Sequence, residues 1–165
     1  GHGSCFGLTM SGAAPPLVPA RSVLAIGNRG TTTSLAGSRI LVVENDLVVL
    51  QALEALLTQW GCHLRLASST EEVRDAIADG RWLPDMVVAD QHLDGDDRGT
   101  TTVALIRELI GQRIPALIVT AAPSEALVRE TADARIELMS KPVKPAQLRA
   151  LLTYLRRGVS LPVSA

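Results

Sequence analysis

Four separate places in this 165-residue chain carry side chains suited to one chemistry: Glu44-Asn45-Asp46, Asp90, Thr120 and Lys141. They offer acidic and amide oxygens, a lone carboxylate, a hydroxyl and an ammonium. Acidic oxygens beside a carboxylate attract a hard divalent cation such as Mg²⁺. A cation, a hydroxyl and a lysine around one carboxylate suit the acceptance of a phosphoryl group. Positive charge neutralises the equatorial oxygens, and transfer is mostly positioning plus electrostatics. Taken one at a time, each residue has a plainer explanation, since chain segments meeting solvent are often polar. The chemical reading holds only if the fold gathers all four.

The surrounding pattern provides for that. Ile40-Leu41-Val42-Val43, Met86-Val87-Val88-Ala89 and Ala116-Leu117-Ile118-Val119 are short continuous apolar runs, as in strands buried on both faces. They end on Glu44, Asp90 and Thr120. Weaker strands are expected over 63–67 and 136–139, the latter leading to Lys141. Helices fall between them. Residues 47–60 place Val49, Ala52, Leu53, Leu56 and Trp60 on one stripe, with Gly61 as the stop. Ser69-Thr70-Glu71-Glu72 reads as a capping box opening a helix that ends at Gly80. Further helices are expected from Thr101 to Ile110, from Pro123 to Ala134, and from Pro145, which suits a first helical position, through Arg157. Five βα units imply an α/β fold, a doubly wound five-stranded parallel sheet with helices on both faces. In such sheets the functional crevice lies beyond the carboxyl ends of the strands.

Composition narrows the function further. Acidic residues number 17 and basic residues 16, a net charge of −1, which gives no basic footprint for nucleic acid. Aromatic residues make up 2% of the chain, too few for base-stacking platforms. The core is therefore expected from Leu, Val, Ile and Ala. Only two of the 16 cations are lysines, Lys141 and Lys144. A chain that uses Arg elsewhere keeps Lys141 where a compact point charge on a flexible stem suits the chemistry. Lys144 reads as a solvated charge. Cys5 and Cys62 form no disulfide framework. No apolar run approaches a membrane span, no signal peptide is evident, and a cytoplasmic location without direct membrane contact is expected.

The segments RILVVEND (39–46), PDMVVADQHL (84–93), IPALIVTAA (114–122) and LMSKPVKPAQL (138–148) resemble the receiver domains of two-component response regulators. They are most similar to receivers fused to hybrid sensor histidine kinases. The resemblance implies a flavodoxin-like sheet of order 2-1-3-4-5, with Asp90 as the phosphoacceptor from a phosphohistidine. It implies Mg²⁺ held by Glu44, Asn45, Asp90 and the backbone carbonyl of His92. Thr120 matches the switch hydroxyl, and Lys141, before a cis Pro142, the lysine that pairs with the phosphoryl group. Implied partners are a histidine-kinase dimerisation domain or a histidine phosphotransfer protein, with weak homodimerisation also entertained.

Three positions depart from the family pattern. Asn45 stands where a direct metal-binding Asp is usual, which removes one negative charge. Leu138 replaces the usual switch Tyr or Phe, so phosphorylation is not expected to be reported by an aromatic ring. The loop QHLDGDDRG carries Asp94 where Pro is common and reads as a solvated acidic loop, with a share in a cation site as the alternative.

Residues 1–10 resemble the last glycine box and final strand of a histidine-kinase ATP-binding domain, with a cloning scar as the alternative. Residues 11–38, rich in Pro, Gly, Ser and Thr, read as a linker, 39–157 as the receiver, and 158–165 as a tail. Output is then expected through protein contact. Val48, Leu50 and Leu57 spill past the first helix's stripe and suggest a docking surface, with core packing as the alternative. His2, His63 and Cys62 carry no ligand spacing. Two competing functions stay open: an unphosphorylated binding module, motivated by Asn45, and an aspartate-nucleophile phosphohydrolase. The latter generally needs an acid two residues after the nucleophile, where His92 stands.

Overall fold

The computed structural model describes residues 34–78 and 80–159. The reading of residues 1–10 as a kinase remnant lies outside them, as do most of the linker and the end of the tail. Five βα units follow one another. They are β1 (Arg39–Val43), α1 (Leu47–Gln59), β2 (His63–Ala67), α2 (Thr70–Ile77), β3 (Met86–Asp90), α3 (Gly99–Ile110), β4 (Ala116–Thr120), α4 (Glu125–Asp133), β5 (Glu137–Ser140) and α5 (Pro145–Val159). The strands form one sheet of order β2-β1-β3-β4-β5, and every pairing is parallel. This is the expected doubly wound architecture, with its chain reversal between β1 and β3.

Alternation along the strands sends successive side chains to opposite faces. Ile40, Val42, Met86, Val88, Leu117, Val119 and Met139 join Leu53, Leu57, Leu148 and Leu152 in one core layer, under α1 and α5. Leu41, Val43, Val87, Ala89, Ile118 and half-buried Leu138 join Val73, Val103 and Ile106 in the other, under α2 and α3. The parity of a strand residue therefore decides which layer it enters.

Local chemistry sets the helix ends. The Asp46 carboxylate accepts from the backbone N–H groups of Val48 and Val49, capping α1 as its position suggests. Gly61 then adopts φ +79 just past the Trp60 cap. Ser69 caps α2 by accepting from Glu72 N, while the Glu72 side chain reaches Ser68 N, one residue earlier than a regular capping box. That helix ends at Ile77, short of Gly80.

Three expectations shift. The buried stripe of α1 is Leu50, Leu53 and Leu57, not the one centred on Val49, Ala52 and Leu56. Nine of the residues from Leu47 to Leu57 are apolar, so periodicity alone has no unique phase there. Leu50 and Leu57 are consequently core, whereas Leu47 and Val48 are exposed. α4 begins after Ser124, whose hydroxyl accepts from Leu127 N, so Pro123 precedes the cap and does not start the helix. The stretch read as linker ends inside the body: Leu35 is 1% exposed in the first core layer, and Gly37 N donates to Gly61 O at 2.8 Å.

Two side chains tie distant loops at the amino end of the sheet. The Arg107 guanidinium donates to the carbonyls of Ile114 (3.0 Å), Ala134 (2.7 Å) and Arg135 (3.4 Å). Burial, followed by the nearby Arg113 charge, holds its pKa below the usual arginine value. Arg107→Ala is expected to lower the urea midpoint by about 2 kcal/mol equivalent, because partly buried carbonyls lose their donors. Arg107→Lys should not rescue it, since an ammonium lacks the planar fork.

Asp85 binds Arg39 through both oxygens, accepting from the backbone N at 2.8 Å and the guanidinium at 2.9 Å. Burial pushes the carboxyl up, but the Arg39 hydrogen bonds outweigh it and hold the group below its ordinary 3.8. A lowered folded value stabilises above the unfolded pKa, and that contribution is lost as pH falls through the folded one. Asp85→Asn should therefore cost about 1 kcal/mol in urea unfolding near pH 7, with the difference fading toward about pH 2.

Candidate functional site

The site forms where β1, β3 and β5 end. Counting on from Val42, Val88 and Met139, the residues Glu44, Asp90 and Lys141 have the same parity and so fall toward the α1/α5 side. Lys141 is the hinge of the cluster. Its Nζ lies 3.1 Å from Glu44 Oε2 and 3.2 Å from Asp90 Oδ1. The two carboxylic residues are 2% and 7% exposed. Burial pushes Glu44 above the usual carboxylate range, offset in part by the hydrogen bond from Lys141 and the backbone bond from Asp46 N. Burial pulls the Lys141 ammonium down, but its bonds to Glu44 and Asp90 outweigh that, so its net shift is upward. The Lys141-Pro142 bond is cis, as the resemblance implies, and Lys141 N donates to Thr120 O at 2.7 Å.

Thr120 and Leu138 have the other parity, counting from Ile118 and along β5. The Thr120 hydroxyl is buried and has no hydrogen-bond partner among the described residues. The sheet thus brings it to the same end as Lys141 without bonding it to that cluster. Leu138 pairs in register with Ile118 and packs half-buried against the second core layer. Lys144 is exposed, as a solvated charge should be.

The loop after β3 holds more structure than a solvated acidic loop. Asn45 Nδ2 donates to Asp94 Oδ1 at 2.7 Å, bridging the ends of β1 and β3. Asp97 accepts from Thr70 N at 3.4 Å, at the start of α2. His92 pairs with Arg98 as an isolated antiparallel bridge, while Gly99 N returns to Gln91 O at 3.2 Å. The roles of Asp94 and Asp97 were the least visible in the sequence. The one signal was an acid standing where the resembling family favours proline.

The donor set fits a hard cation. Two buried carboxylic side chains share a single ammonium, and the buried Thr120 hydroxyl at the same end of the sheet has no partner among the described residues. Among the described residues no three His, Cys, Asp or Glu side chains gather closely enough to hold a metal alone. A cation held there would need neutral oxygens among its remaining ligands, and the resemblance assigns that part to Asn45 and the His92 carbonyl.

Comparison with known proteins agrees with this fold. Residues 40–153 match the family described as the response regulator receiver domain. No curated protein sequence matches significantly. Among solved structures, a CheY-like receiver domain protein from Methanospirillum hungatei aligns with a TM-score of 0.66 at 21% identity, covering 74% of this chain and 96% of that one. A two-component response regulator from Clostridium difficile gives 0.66 at 21% identity, over 75% and 99% of the chains. A putative response regulator from Chloroflexus aurantiacus gives 0.64 at 27%, over 73% and 98%. With the family match covering most of its length, this chain belongs to the response regulator receiver domains of two-component signalling.

Proposed function

We propose that this receiver accepts a phosphoryl group from a phosphohistidine onto Asp90, with Mg²⁺ assistance. The observation that carries the reading is the Lys141 ammonium held between Glu44 and Asp90, at 3.1 and 3.2 Å. A lysine so placed can follow a phosphoryl oxygen as charge moves onto it, while the buried Asp90 carboxylate supplies the attacking oxygen. An O–P bond forms at Asp90 as the N–P bond of the donor histidine breaks, and the histidine nitrogen leaves with the bonding pair. Glu44, Asn45, Asp90 and the His92 carbonyl would hold Mg²⁺, which when bound supplies positive charge to the phosphoryl oxygens. Thr120 offers its hydroxyl to a phosphoryl oxygen, which would give that buried group the partner it lacks.

The partners in this reading are a histidine-kinase dimerisation domain or a histidine phosphotransfer protein, within a hybrid kinase. Asn45 favours one second reading, a receiver that binds partners without being phosphorylated. A hydrolytic enzyme is disfavoured by His92, which replaces the acid expected two residues beyond the nucleophile.

Incubation with Mg²⁺ and acetyl phosphate tests the proposal. Intact-mass measurement should show the addition of one phosphate, lost in Asp90→Asn. Absence of that addition in the unsubstituted chain would sink the phosphoacceptor reading in favour of the binding module. Sustained turnover of phosphate esters would instead identify a hydrolase.

A further inference from the structure

Asn45 and Asp94 lie 49 positions apart, yet their side chains meet at 2.7 Å. An ionised carboxylate can only accept, so the Asn45 amide must turn its NH₂ toward Asp94 and its Oδ1 away from it. That matters because Asn45 directly follows the buried Glu44, where its amide oxygen is the neutral replacement for a charged cation ligand. We propose that Asp94 is the positioning residue of the cation site. It fixes the Asn45 amide with Oδ1 presented to the cation, and it returns, one shell out, the negative charge that Asn45 lacks. This inference rests on the reading of Asp90 as an Mg²⁺-assisted phosphoacceptor.

The physical basis is general. A ligand whose far side is held by a carboxylate is both oriented and made a better donor, and losing such an outer partner typically lowers metal affinity about 10–100-fold. The neighbouring acids do not share the role. The Asp96 side chain is exposed and makes no hydrogen bond among the described residues. Asp97 is engaged with the backbone of α2. Only Asp94 reaches Asn45, so proximity of negative charge to the loop and specific support of the amide can be separated by experiment.

The measurement is Mg²⁺ titration calorimetry on the whole 165-residue chain, with no phosphodonor present. Asp94→Ala should weaken binding about tenfold or more, whereas Asp96→Ala should leave it unchanged. Asp94→Asn, which keeps an acceptor and loses the charge, should fall between wild type and Asp94→Ala. In an Asn45→Asp background, Asp94→Ala should no longer weaken binding, because no amide remains to be oriented and two adjacent carboxylates repel. That loss of additivity is the signature of action through Asn45. Equal effects of Asp94→Ala and Asp96→Ala would overturn the proposal, as would an undiminished Asp94→Ala effect in the Asn45→Asp background. If Asp94→Ala fails to fold by circular dichroism, Asp94→Asn carries the same comparison. Failure of the unsubstituted chain to bind Mg²⁺ would overturn the cation-assisted reading itself, and this inference with it.

Discussion

Replacing Lys141 by methionine is expected to slow phosphorylation of Asp90 by acetyl phosphate on the order of a hundredfold or more, the scale for losing one preorganised charge at a reacting centre. The side chain is 27% exposed and holds two carboxylates that are 3% and 7% exposed. Without it, phosphoryl oxygens lose their ammonium, and Glu44 and Asp90 face each other uncompensated. The same substitution should cost about 3 kcal/mol of stability near neutral pH, as when one partner of a buried pair is removed. The pH dependence has a definite sign. Burial already holds Glu44 above its ordinary value, and losing the Lys141 hydrogen bond removes the main opposing influence. A raised folded pKa contributes stability that is present below the unfolded value and lost as pH rises through the folded one. The deficit of Lys141→Met should therefore shrink in acid and grow as pH rises above 4.5, the ordinary glutamate value. Lys141→Arg should not restore the rate, because a planar guanidinium cannot replace a compact ammonium at this spacing. A mass-spectrometric time course and urea unfolding at two pH values check both parts. An unchanged rate would remove Lys141 from the chemistry.

Gly99→Ala should be about as damaging by another route. A Cβ at Gly99 would overlap the Asp90 carbonyl oxygen and come within 2.9 Å of Ile118 Cδ1. The first obstacle is backbone at the end of a central strand, so nothing flexible can move aside. Overpacking of this kind costs about 3 kcal/mol or more when the backbone must shift. Any shift moves Asp90, so phosphorylation should fall together with the unfolding midpoint. Gly95→Ala is the control. Gly95 has φ +70 with nothing within 4 Å of a built Cβ, so only the left-handed backbone penalty of about 1–2 kcal/mol applies. If both variants were equally stable, close packing at Gly99 would not matter.

The glycine illustrates why part of the site was hidden. Gly99 reads in the sequence as a loop residue before a helix expected from Thr101, whereas α3 starts at Gly99 itself. Its requirement comes from Asp90 and Ile118, residues 9 and 19 positions away. The acidic loop behaves likewise. Asp94 and Asp97 look alike as acids of one short loop, yet one supports the Asn45 amide and the other the start of α2. By contrast, Ser69 as a cap and Pro145 as a first helical residue were legible at once, because each depends only on the next three or four residues.

The sequence by itself determined the alternation of strands and helices, the parallel sheet which that alternation implies, and the polar residues that end β1, β3 and β4, whereas the strand order came only with the family resemblance. Those properties reside in short-range patterns: apolar runs, caps and the βα repeat. It also singled out Lys141, since a chain so poor in lysine keeps one before a proline at the end of β5. Only the tertiary structure decided that Lys141 bonds to Glu44 and Asp90 while the Thr120 hydroxyl finds no partner among the described residues, that α1 buries Leu50 and Leu57, and that Asp94 meets Asn45. The physical reason is phase. Periodicity says that faces exist, but which residues share a face is fixed by strand parity and by contacts between residues tens of positions apart.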